Sequence, residues 1–500
     1  MNFNRNAGVL LHITSLPSPY GVGTLGSVAY DFVDWMEKAG LRIWQVLPLV
    51  PTNYGDSPYQ SVSSTALNYY LIDFDVLHKK GLLKKKDYET RKFSDYDVKV
   101  NYSLLFTEKI KVLKLAFEKF DCNDYSFIAF ENQGNYKDFA IFMTIKAMHE
   151  YHPWNLWDER YQRYSKEVEE EILTKHRQEY LFWIWTQYEF LEEWNALHQY
   201  AKSKSIEIMG DMPLYVAYDS VEVWKYPELF VLTEKHEPKF VAGCPPDCFT
   251  EDGQLWGNPV YDWTYMKKTN YQWWNERIQK AFDLYDILRI DHFRGFAQYY
   301  AIPAGMPNAR IGEWMDGPKF DLFKDKLGLR IVAEDLGFID DDVRNLLKQT
   351  AYPGMKILEF AFDGSRDNEH KPSCFKENYI VYTGTHDNMP MYQYILDLEP
   401  DALNTFMSDL KEECLKLGVE VKDHSYEAVT ETIVELAFAS IANTCIIPFQ
   451  DLLSQDESAR MNLPSTVSTK NWSYRILKNQ MSDKLAARIK GYILKYNRTN

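Results

Sequence analysis

The chain has 500 residues, and 45% of them are hydrophobic, so it can bury one large core or several smaller ones. Its formal net charge is −16, from 56 basic and 72 acidic side chains, and no long basic run occurs. This charge argues against nucleic acid or an anionic membrane surface as a partner. The 14 Trp, 35 Tyr and 28 Phe residues suit carbohydrate binding, although most of these rings must lie in the core.

The six cysteines do not form a disulfide framework in a chain of this length. Cys244 and Cys248 make a lone C-x3-C pair without a second pair, so we expect no zinc, no other metal and no cofactor. The N-terminus leads into a strand-like segment without a signal-peptide apolar region. The most apolar stretch, Leu436–Phe449, is too short to span a bilayer. We therefore expect a cytoplasmic protein that does not enter a membrane.

Strands and helices alternate from the N-terminus. The first strand is predicted at Gly8–Ile13, a helix at about Val28–Ala39 that ends at Gly40, and the second strand at Arg42–Leu49. This βα repeat indicates a parallel sheet. A long polar loop follows at 51–64, and loops of that length usually carry function.

The alternation is then interrupted. Residues 75–200 are mostly helical, charged and aromatic, and we predict that they form a helical insertion subdomain between strands 2 and 3. A second long loop, at 237–265, is predicted to be an active-site insertion. Further strands are predicted at 206–213, 286–291, 329–334, 355–360, 379–383 and 444–448. About eight strands separated by helices favour an α/β fold of the (β/α)8 barrel type, with residues 1–500 as a single catalytic barrel. An open doubly wound sheet is the alternative, but no G-x-G-x-x-G follows the first strand.

Acid residues stand at the ends of four predicted strands, namely Asp211, Asp291, Glu334 and Asp387. Side chains alternate along a strand, so Arg289 and Asp291 point to the same face, and the arginine is expected to lower the pKa of that aspartate. A single acid at the end of a strand is often only an ion-pair partner or the cap of the following helix. Four of them at separate strand ends, two beside His292 and His386, favour a catalytic site, because barrel enzymes place catalytic residues there.

Clustered carboxylates without a metal motif or a Gly-rich phosphate loop are typical of glycosidic bond chemistry. One carboxylate acts as the nucleophile and another as acid and base, while the transition state carries positive charge. Crowding raises the pKa of one carboxyl and keeps it protonated, and the arginine is expected to keep the nucleophile ionised.

Longer motifs accompany these residues along nearly the whole chain. The most specific are Gly55-Asp-Ser-Pro-Tyr-Gln-Ser, Gly210-Asp-Met-Pro, Pro245-Pro-Asp, Gly253-Gln-Leu-Trp-Gly-Asn-Pro, Arg289-Ile-Asp-His-Phe-Arg-Gly, Ala333-Glu-Asp-Leu-Gly and Thr383-Gly-Thr-His-Asp-Asn, and Ala459-Arg-Met-Asn-Leu-Pro follows near the C-terminus. With them the chain closely resembles the 4-α-glucanotransferases called amylomaltase or disproportionating enzyme, which form glycoside hydrolase family 77 of the α-amylase clan.

The resemblance implies a role for each site residue. Asp291 would be the nucleophile, Glu334 the general acid/base, and Asp387 the carboxylate that binds sugar hydroxyls and favours a distorted ring. Substrate-binding roles are implied for Arg289, His292, His386, Asp211, Tyr59, Ser57, Trp256 and Asn388. Tyr54 matches a position of a second glucan site on the surface, and its alternative interpretation is an exposed loop aromatic.

The expected reaction is retaining transfer of an α-1,4-glucan segment to the 4-hydroxyl of glucose or another maltooligosaccharide, with some cyclic glucan. The implied partners are α-1,4-glucans and maltooligosaccharides, with glucose as an acceptor, and the protein is expected to be a monomer or a weak homodimer. The segments Leu67-Asn-Tyr-Tyr, Pro464-Ser and Lys470-Asn-Trp depart from the family pattern, which bears on loop shape and the acceptor side.

Two alternatives remain. An α-amylase-type hydrolase would use the same carboxylates, but such enzymes usually carry Asn-His a few residues after the aspartate of the third strand and bind calcium there. Here Met-Pro-Leu-Tyr-Val-Ala-Tyr follows Asp211. A non-catalytic glucan-binding protein on the same barrel would be signalled by loss of one of the three catalytic carboxylates, and all three are present.

Overall fold

Short, mostly buried segments form the strands of the protein. The computed structural model describes residues 3–246, 251–337, 339–421, 423 and 425–499. Within these ranges the strands are β1 (Asn6–Leu10), β2 (Ile43–Gln45), β3 (Glu207–Met212), β4 (Phe240–Cys244), β5 (Gln254–Pro259), β6 (Ile287–Ile290), β7 (Gln298–Pro303), β8 (Glu313–Asp316), β9 (Ile331–Ala333), β10 (Gly354–Ile357), β11 (Tyr379–Tyr382) and β12 (Thr444–Pro448).

Eight of these strands form one parallel sheet in the order β10-β11-β12-β1-β2-β3-β6-β9. The two end strands approach each other, and the N–H of Ala333 donates to the carbonyl of Pro353 over 3.0 Å, so the sheet is nearly closed. Every residue of β1, β6 and β12 is buried, as parallel strands require when helices cover the outer face and side chains fill the interior. The predicted (β/α)8 barrel is confirmed.

Helix α1 (Ser27–Ala39) connects β1 to β2 and ends at Gly40, whose φ of 76° lies in the left-handed region. Glycine adopts this conformation without steric cost, which is why the predicted helix end is found at this residue. The chain between β2 and β3 is largely helical. Its helices are α2 (Phe74–Lys79), α3 (Tyr102–Leu104), α4 (Ile110–Phe117), α5 (Tyr125–Gln133), α6 (Lys137–Met148), α7 (Lys166–Lys175) and α8 (Arg177–Ser203), with a π-helix, Leu105–Lys109, between α3 and α4.

Helix α8 is the longest of these, with 27 residues, and it buries Trp183, Trp185 and Trp194. Helix α6 packs against it, so the inserted helices share one aromatic core with each other and return the chain to the start of β3. The remaining helices are α9 (Val221–Lys225), α10 (Trp263–Lys268), α11 (Gln272–Leu284), α12 (Asp341–Thr350), α13 (Met391–Leu396), α14 (Pro400–Leu417), α15 (Tyr426–Ala439), α16 (Phe449–Leu452) and α17 (Asp483–Lys495). Among the described residues, no helix combines the length and the apolar character needed to cross a membrane.

A second sheet is antiparallel, with the order β5-β4-β7-β8. Two of its strands, β4 and β5, lie in the range predicted as a long loop, so the prediction of an irregular loop there is wrong. Strands β7 and β8 were not predicted either. All four strands are short, and hydrogen bonds between them stabilise the sheet. A local sequence pattern does not show which strands will pair. Cys248, one member of the C-x3-C pair, lies outside the described residues.

Close packing between β1 and β2 leads to a stability prediction for Gly8. A Cβ atom at this residue would lie 2.5 Å from the backbone oxygen of Ile43, so Gly8→Ala should force neighbouring barrel strands apart. We expect a loss of roughly 1–3 kcal/mol in the free energy of unfolding, measured as a lower melting temperature. Gly491→Ala in α17 is the matched control, because no atom lies within 4 Å of the added carbon and alanine favours a helix by roughly 0.5–1 kcal/mol. Equal melting temperatures for the two variants would contradict this account of the barrel packing.

Candidate active site

The side chain of Arg289 lies between two carboxylates at the carboxyl end of the barrel. Its Nη1 donates to Oδ2 of Asp211 over 2.6 Å, and its Nη2 donates to Oδ1 of Asp291 over 3.0 Å. The three residues meet because Asp211 on β3 pairs directly with Arg289 on β6, and Arg289 and Asp291 share one face of that strand. The guanidinium and Asp211 are both buried. The predicted contact between Arg289 and Asp291 is present, and the arginine has a second acidic partner.

Glu334 follows β9 directly and contacts the segment that carries Asp291. The backbone N–H of His292 donates to Oε2 of Glu334 over 2.7 Å, and the N–H of Leu336 donates to Oε1 over 2.9 Å. His292 adopts the left-handed conformation with φ 47°, in the turn that follows β6. Since β6 and β9 are neighbours in the barrel, the ends of adjacent strands present the carboxyl groups of Asp291 and Glu334.

Burial is the largest influence on both of these carboxyl groups. It raises the pKa of Glu334, and it raises the pKa of Asp291 well above the usual range, with the nearby negative charge of Asp211 adding to the effect. The guanidinium of Arg289 acts against burial and lowers both pKa values. The expectation that Arg289 would make the pKa of Asp291 lower than usual is wrong, because desolvation outweighs the cation. The pair therefore tends to keep a proton at pH values where an ordinary carboxyl has lost it.

The loop after β11 carries His386 and Asp387. Nε2 of His386 lies 3.4 Å from Oδ1 of Asp387, whose side chain is 44% exposed and so faces the open end of the barrel. Burial lowers the pKa of His386, and it lowers the pKa of His292 to about 3. Both imidazoles are therefore neutral at pH 7 and can donate or accept hydrogen bonds without adding charge to the site.

The side chain of Asn388 belongs to the same loop but is engaged by protein groups. Its Oδ1 accepts hydrogen bonds from the N–H and the hydroxyl of Thr385, both over 2.8 Å, and its Nδ2 donates to Oε1 of Glu359 over 3.0 Å. Because the amide is used in this way, it maintains the shape of the loop. The geometry gives no support to the prediction that Asn388 binds substrate.

Aromatic rings border the carboxylates on two sides. The hydroxyl of Tyr59 donates to Oδ2 of Asp211 over 2.8 Å, and its ring stacks on His386 with centroids 5.1 Å apart. Trp256 on β5 meets the ring of His292 edge to face at 4.8 Å. The hydroxyl of Ser57 accepts from the N–H of Tyr59 over 3.2 Å, so it holds the turn that presents the tyrosine. Tyr54 is 71% exposed on the neighbouring surface.

Three side chains that were not predicted support this loop. Nη2 of Arg460 donates to the carbonyl of Asp387 over 2.7 Å. Nδ2 of Asn462 donates to Oδ1 of Asp387 over 2.7 Å, while its N–H donates to the carbonyl of His386 over 3.1 Å. Glu359 accepts from Asn388, and burial raises its pKa to about 7.

A signal for these residues exists in the sequence. Glu359 lies two residues after β10, so the rule that identified the other strand-end acids also applies to it. Arg460 and Asn462 are the polar members of Ala459-Arg-Met-Asn-Leu-Pro, a motif whose individual residues receive no role from the resemblance. Asn462 lies 75 residues after Asp387 in the chain, and a local sequence pattern does not predict a contact over such a separation.

The fold and the site together define a (β/α)8 barrel whose candidate active site consists of carboxylates, an arginine and neutral histidines at the strand ends. Comparison with known sequences gives the family. The profile of the 4-alpha-glucanotransferase family matches residues 11–480. The chain belongs to that family and is an enzyme of that type.

Individual relatives match over nearly their whole length. The chain is 42% identical over 487 residues to a 4-alpha-glucanotransferase of Clostridium butyricum, which covers 96% of this chain and 98% of the relative. It is 38% identical to the 4-alpha-glucanotransferase of Thermus thermophilus, with 98% of each chain covered. Among solved structures, the amylomaltase from Streptococcus agalactiae in complex with acarbose superimposes with a TM-score of 0.93 at 39% identity, covering 99% of this chain and 100% of that one.

The electrostatics of the cluster predict the effect of Asp211→Asn on the pH profile of transfer. The asparagine keeps the shape of the side chain, and its amide oxygen accepts the two hydrogen bonds that now reach Oδ2. Because the negative charge of Asp211 raises the pKa of Asp291, its removal should lower that pKa. The acid limb of kcat/KM should move to lower pH, by roughly one pH unit. An acid limb that stays in place or moves to higher pH would contradict the assignment of this coupling.

Proposed function

We propose that this enzyme transfers segments of α-1,4-glucan by retaining double displacement, with Asp291 as the nucleophile and Glu334 as the general acid and base. The observation that carries the proposal is the contact of Glu334 with the N–H of His292, the residue that follows Asp291. It brings the two carboxyl groups to adjacent strand ends in one site, where both can reach a single glycosidic bond.

In the first step, a carboxylate oxygen of Asp291 attacks the anomeric carbon while Glu334 gives its proton to the glycosidic oxygen. The reducing-end fragment leaves, and the non-reducing part remains bound covalently to Asp291. In the second step, Glu334 removes the proton from the 4-hydroxyl of an acceptor sugar, which displaces Asp291 and forms a new α-1,4 bond. Two inversions at the same carbon retain the configuration.

The different partners of the two carboxyl groups support these roles. Arg289 contacts Asp291 directly and favours its ionised form, and Asp211 on the other side of the guanidinium holds that cation in place. Burial raises the pKa of Glu334, as a general acid that must keep its proton requires. The neutral imidazoles of His292 and His386 are suited to bind sugar hydroxyls at the cleavage point.

Asp387 is proposed to bind hydroxyls of the reacting glucose ring and to favour its distorted form. Its carboxylate is partly exposed and accepts a hydrogen bond from Asn462, while Arg460 donates to its backbone carbonyl, so the side chain can face the substrate without a change of rotamer. Tyr59 and Trp256 provide aromatic faces beside it, and such faces stack on sugar rings.

The acceptor is proposed to be glucose or a maltooligosaccharide rather than water, so the net result is a redistribution of glucan lengths with some cyclic product. The antiparallel pair β4–β5 and the turn that carries Tyr59 border the site and are placed to exclude water. The enzyme is proposed to act in the cytoplasm on glucans, which carry no charge. An α-amylase-type hydrolase is the competing function, and product analysis separates the two.

The nucleophile is tested with maltotriose as the single substrate. We expect the wild-type protein to produce glucose and a ladder of longer maltooligosaccharides, and Asp291→Asn to lower the rate of transfer by at least about 10³-fold, because no covalent intermediate forms. Chromatography of the products over time gives both results. If the wild type yields only glucose and maltose while reducing ends rise steadily, the enzyme is a hydrolase and the transfer proposal is wrong.

The acid/base role is tested by chemical rescue of Glu334→Ala. Fluoride leaves without protonation, so α-maltosyl fluoride should still glycosylate Asp291 in this variant, whereas maltotriose should not. Azide needs no deprotonation and should accept the glycosyl group to give α-maltosyl azide, identified by NMR. Formation of the β-azide, or the absence of rescue in a folded variant, would contradict the assignment of Glu334.

A further inference from the structure

The indole ring of Trp472 packs against two residues of the site. Its centroid lies 5.5 Å from that of Tyr59 and 5.9 Å from that of His386, while Tyr59 and His386 stack on each other with an angle of 7° between their planes. The three rings form one cluster, and Trp472 is only 6% exposed. Movement of the indole would therefore release both of its neighbours.

The two neighbours are held at their polar ends by the catalytic cluster. The hydroxyl of Tyr59 donates to Asp211, and Nε2 of His386 lies 3.4 Å from Oδ1 of Asp387. Each ring thus has a polar end in the site and an apolar face against Trp472. Because rotation of either ring would move its polar atom away from the neighbouring carboxylate, the indole restricts the geometry of both contacts.

The backbone around Trp472 is itself anchored from two directions. Its N–H donates to the carbonyl of Met461 over 2.7 Å, and its φ of 61° lies in the left-handed region, which a tryptophan adopts only when its surroundings impose it. Its carbonyl accepts from the hydroxyl of Tyr102 over 3.0 Å, and the N–H of Val100 donates to the carbonyl of Ser473 over 2.7 Å. Residues 100–102 precede or begin α3, so the chain inserted between β2 and β3 holds Trp472 against the site.

We propose that Trp472 is a positioning residue for the transfer reaction, which holds Tyr59 and His386 in the orientation that the reacting glucose ring requires. The proposal rests on the proposed function of the carboxylates. It assigns a role to a residue outside the strand-end acids, and it makes the inserted helical chain a support of the active site through residues 100–102.

The experiment compares Trp472→Leu and Trp472→Phe with the wild-type protein. Acarbose is titrated calorimetrically, so that the stoichiometry counts binding-competent molecules, and kcat with maltotriose is expressed per competent site. For Trp472→Leu we expect a stoichiometry near one, an acarbose Kd raised about tenfold and a kcat lowered about tenfold to hundredfold, because misplaced groups lose transition-state contacts. Trp472→Phe retains a flat ring and should stay within about threefold of the wild type.

Trp35→Leu is the matched control, since Trp35 is 4% exposed and packs against Phe32 and Phe449 instead of site residues. It should lower the melting temperature but leave the acarbose Kd and kcat per site within about twofold of wild type. If Trp472→Leu does not fold, Trp472→Met, which keeps bulk without a flat ring, is measured instead with the same expectation.

Wild-type Kd and kcat per site in a folded Trp472→Leu or Trp472→Met variant would overturn the proposal. An equal loss of acarbose affinity and kcat in Trp472→Phe and Trp472→Leu would also overturn it, because a flat ring at position 472 would then make no difference. A wild-type protein that makes no longer maltooligosaccharides from maltotriose would overturn the proposed function itself, and the two failures are therefore distinguishable.

Discussion

The buried guanidinium of Arg289, between Asp211 and Asp291, is the interaction on which the rest of the site depends. Two carboxylates in a desolvated pocket repel each other, and a planar cation with two donating edges allows both to remain there. The register of the barrel creates this contact, because Asp211 and Arg289 are direct partners on β3 and β6. A slip of one residue would turn Arg289 and Asp291 to the opposite face of the strand.

The barrel places further groups around this centre from distant parts of the chain. Glu334 arrives from β9 beside β6, the turn after β2 supplies Tyr59, and the segment after β12 supports Asp387 through Asn462. The inserted helices contribute through a different route, since they hold the backbone of Trp472 and not a carboxylate.

Burial decides the protonation of the site more strongly than any single neighbour does. The sequence indicates that Arg289 lies next to Asp291, and charge alone predicts a lowered pKa. The folded protein removes water from the carboxyl, and the desolvation raises the pKa instead. The same effect keeps His292 and His386 neutral. An enzyme that must hold a proton on one carboxyl at neutral pH gains from this, because an exposed pair would ionise completely.

The sequence by itself determined the eight barrel strands, the helix end at Gly40 and the acids at the strand ends. Buried strands are short apolar runs, and the alternation of side chains between the two faces of a strand depends only on neighbouring residues. Only the tertiary structure decided the antiparallel strands β7 and β8, the hydrogen bonds that engage the Asn388 amide, and the contacts of Arg460, Asn462 and Trp472. Each of these depends on a partner that is distant in the chain or on a loop whose conformation its neighbours impose. A local sequence pattern predicts which face of a strand each side chain lies on, whereas the packing of loops over the barrel depends on contacts along the whole chain.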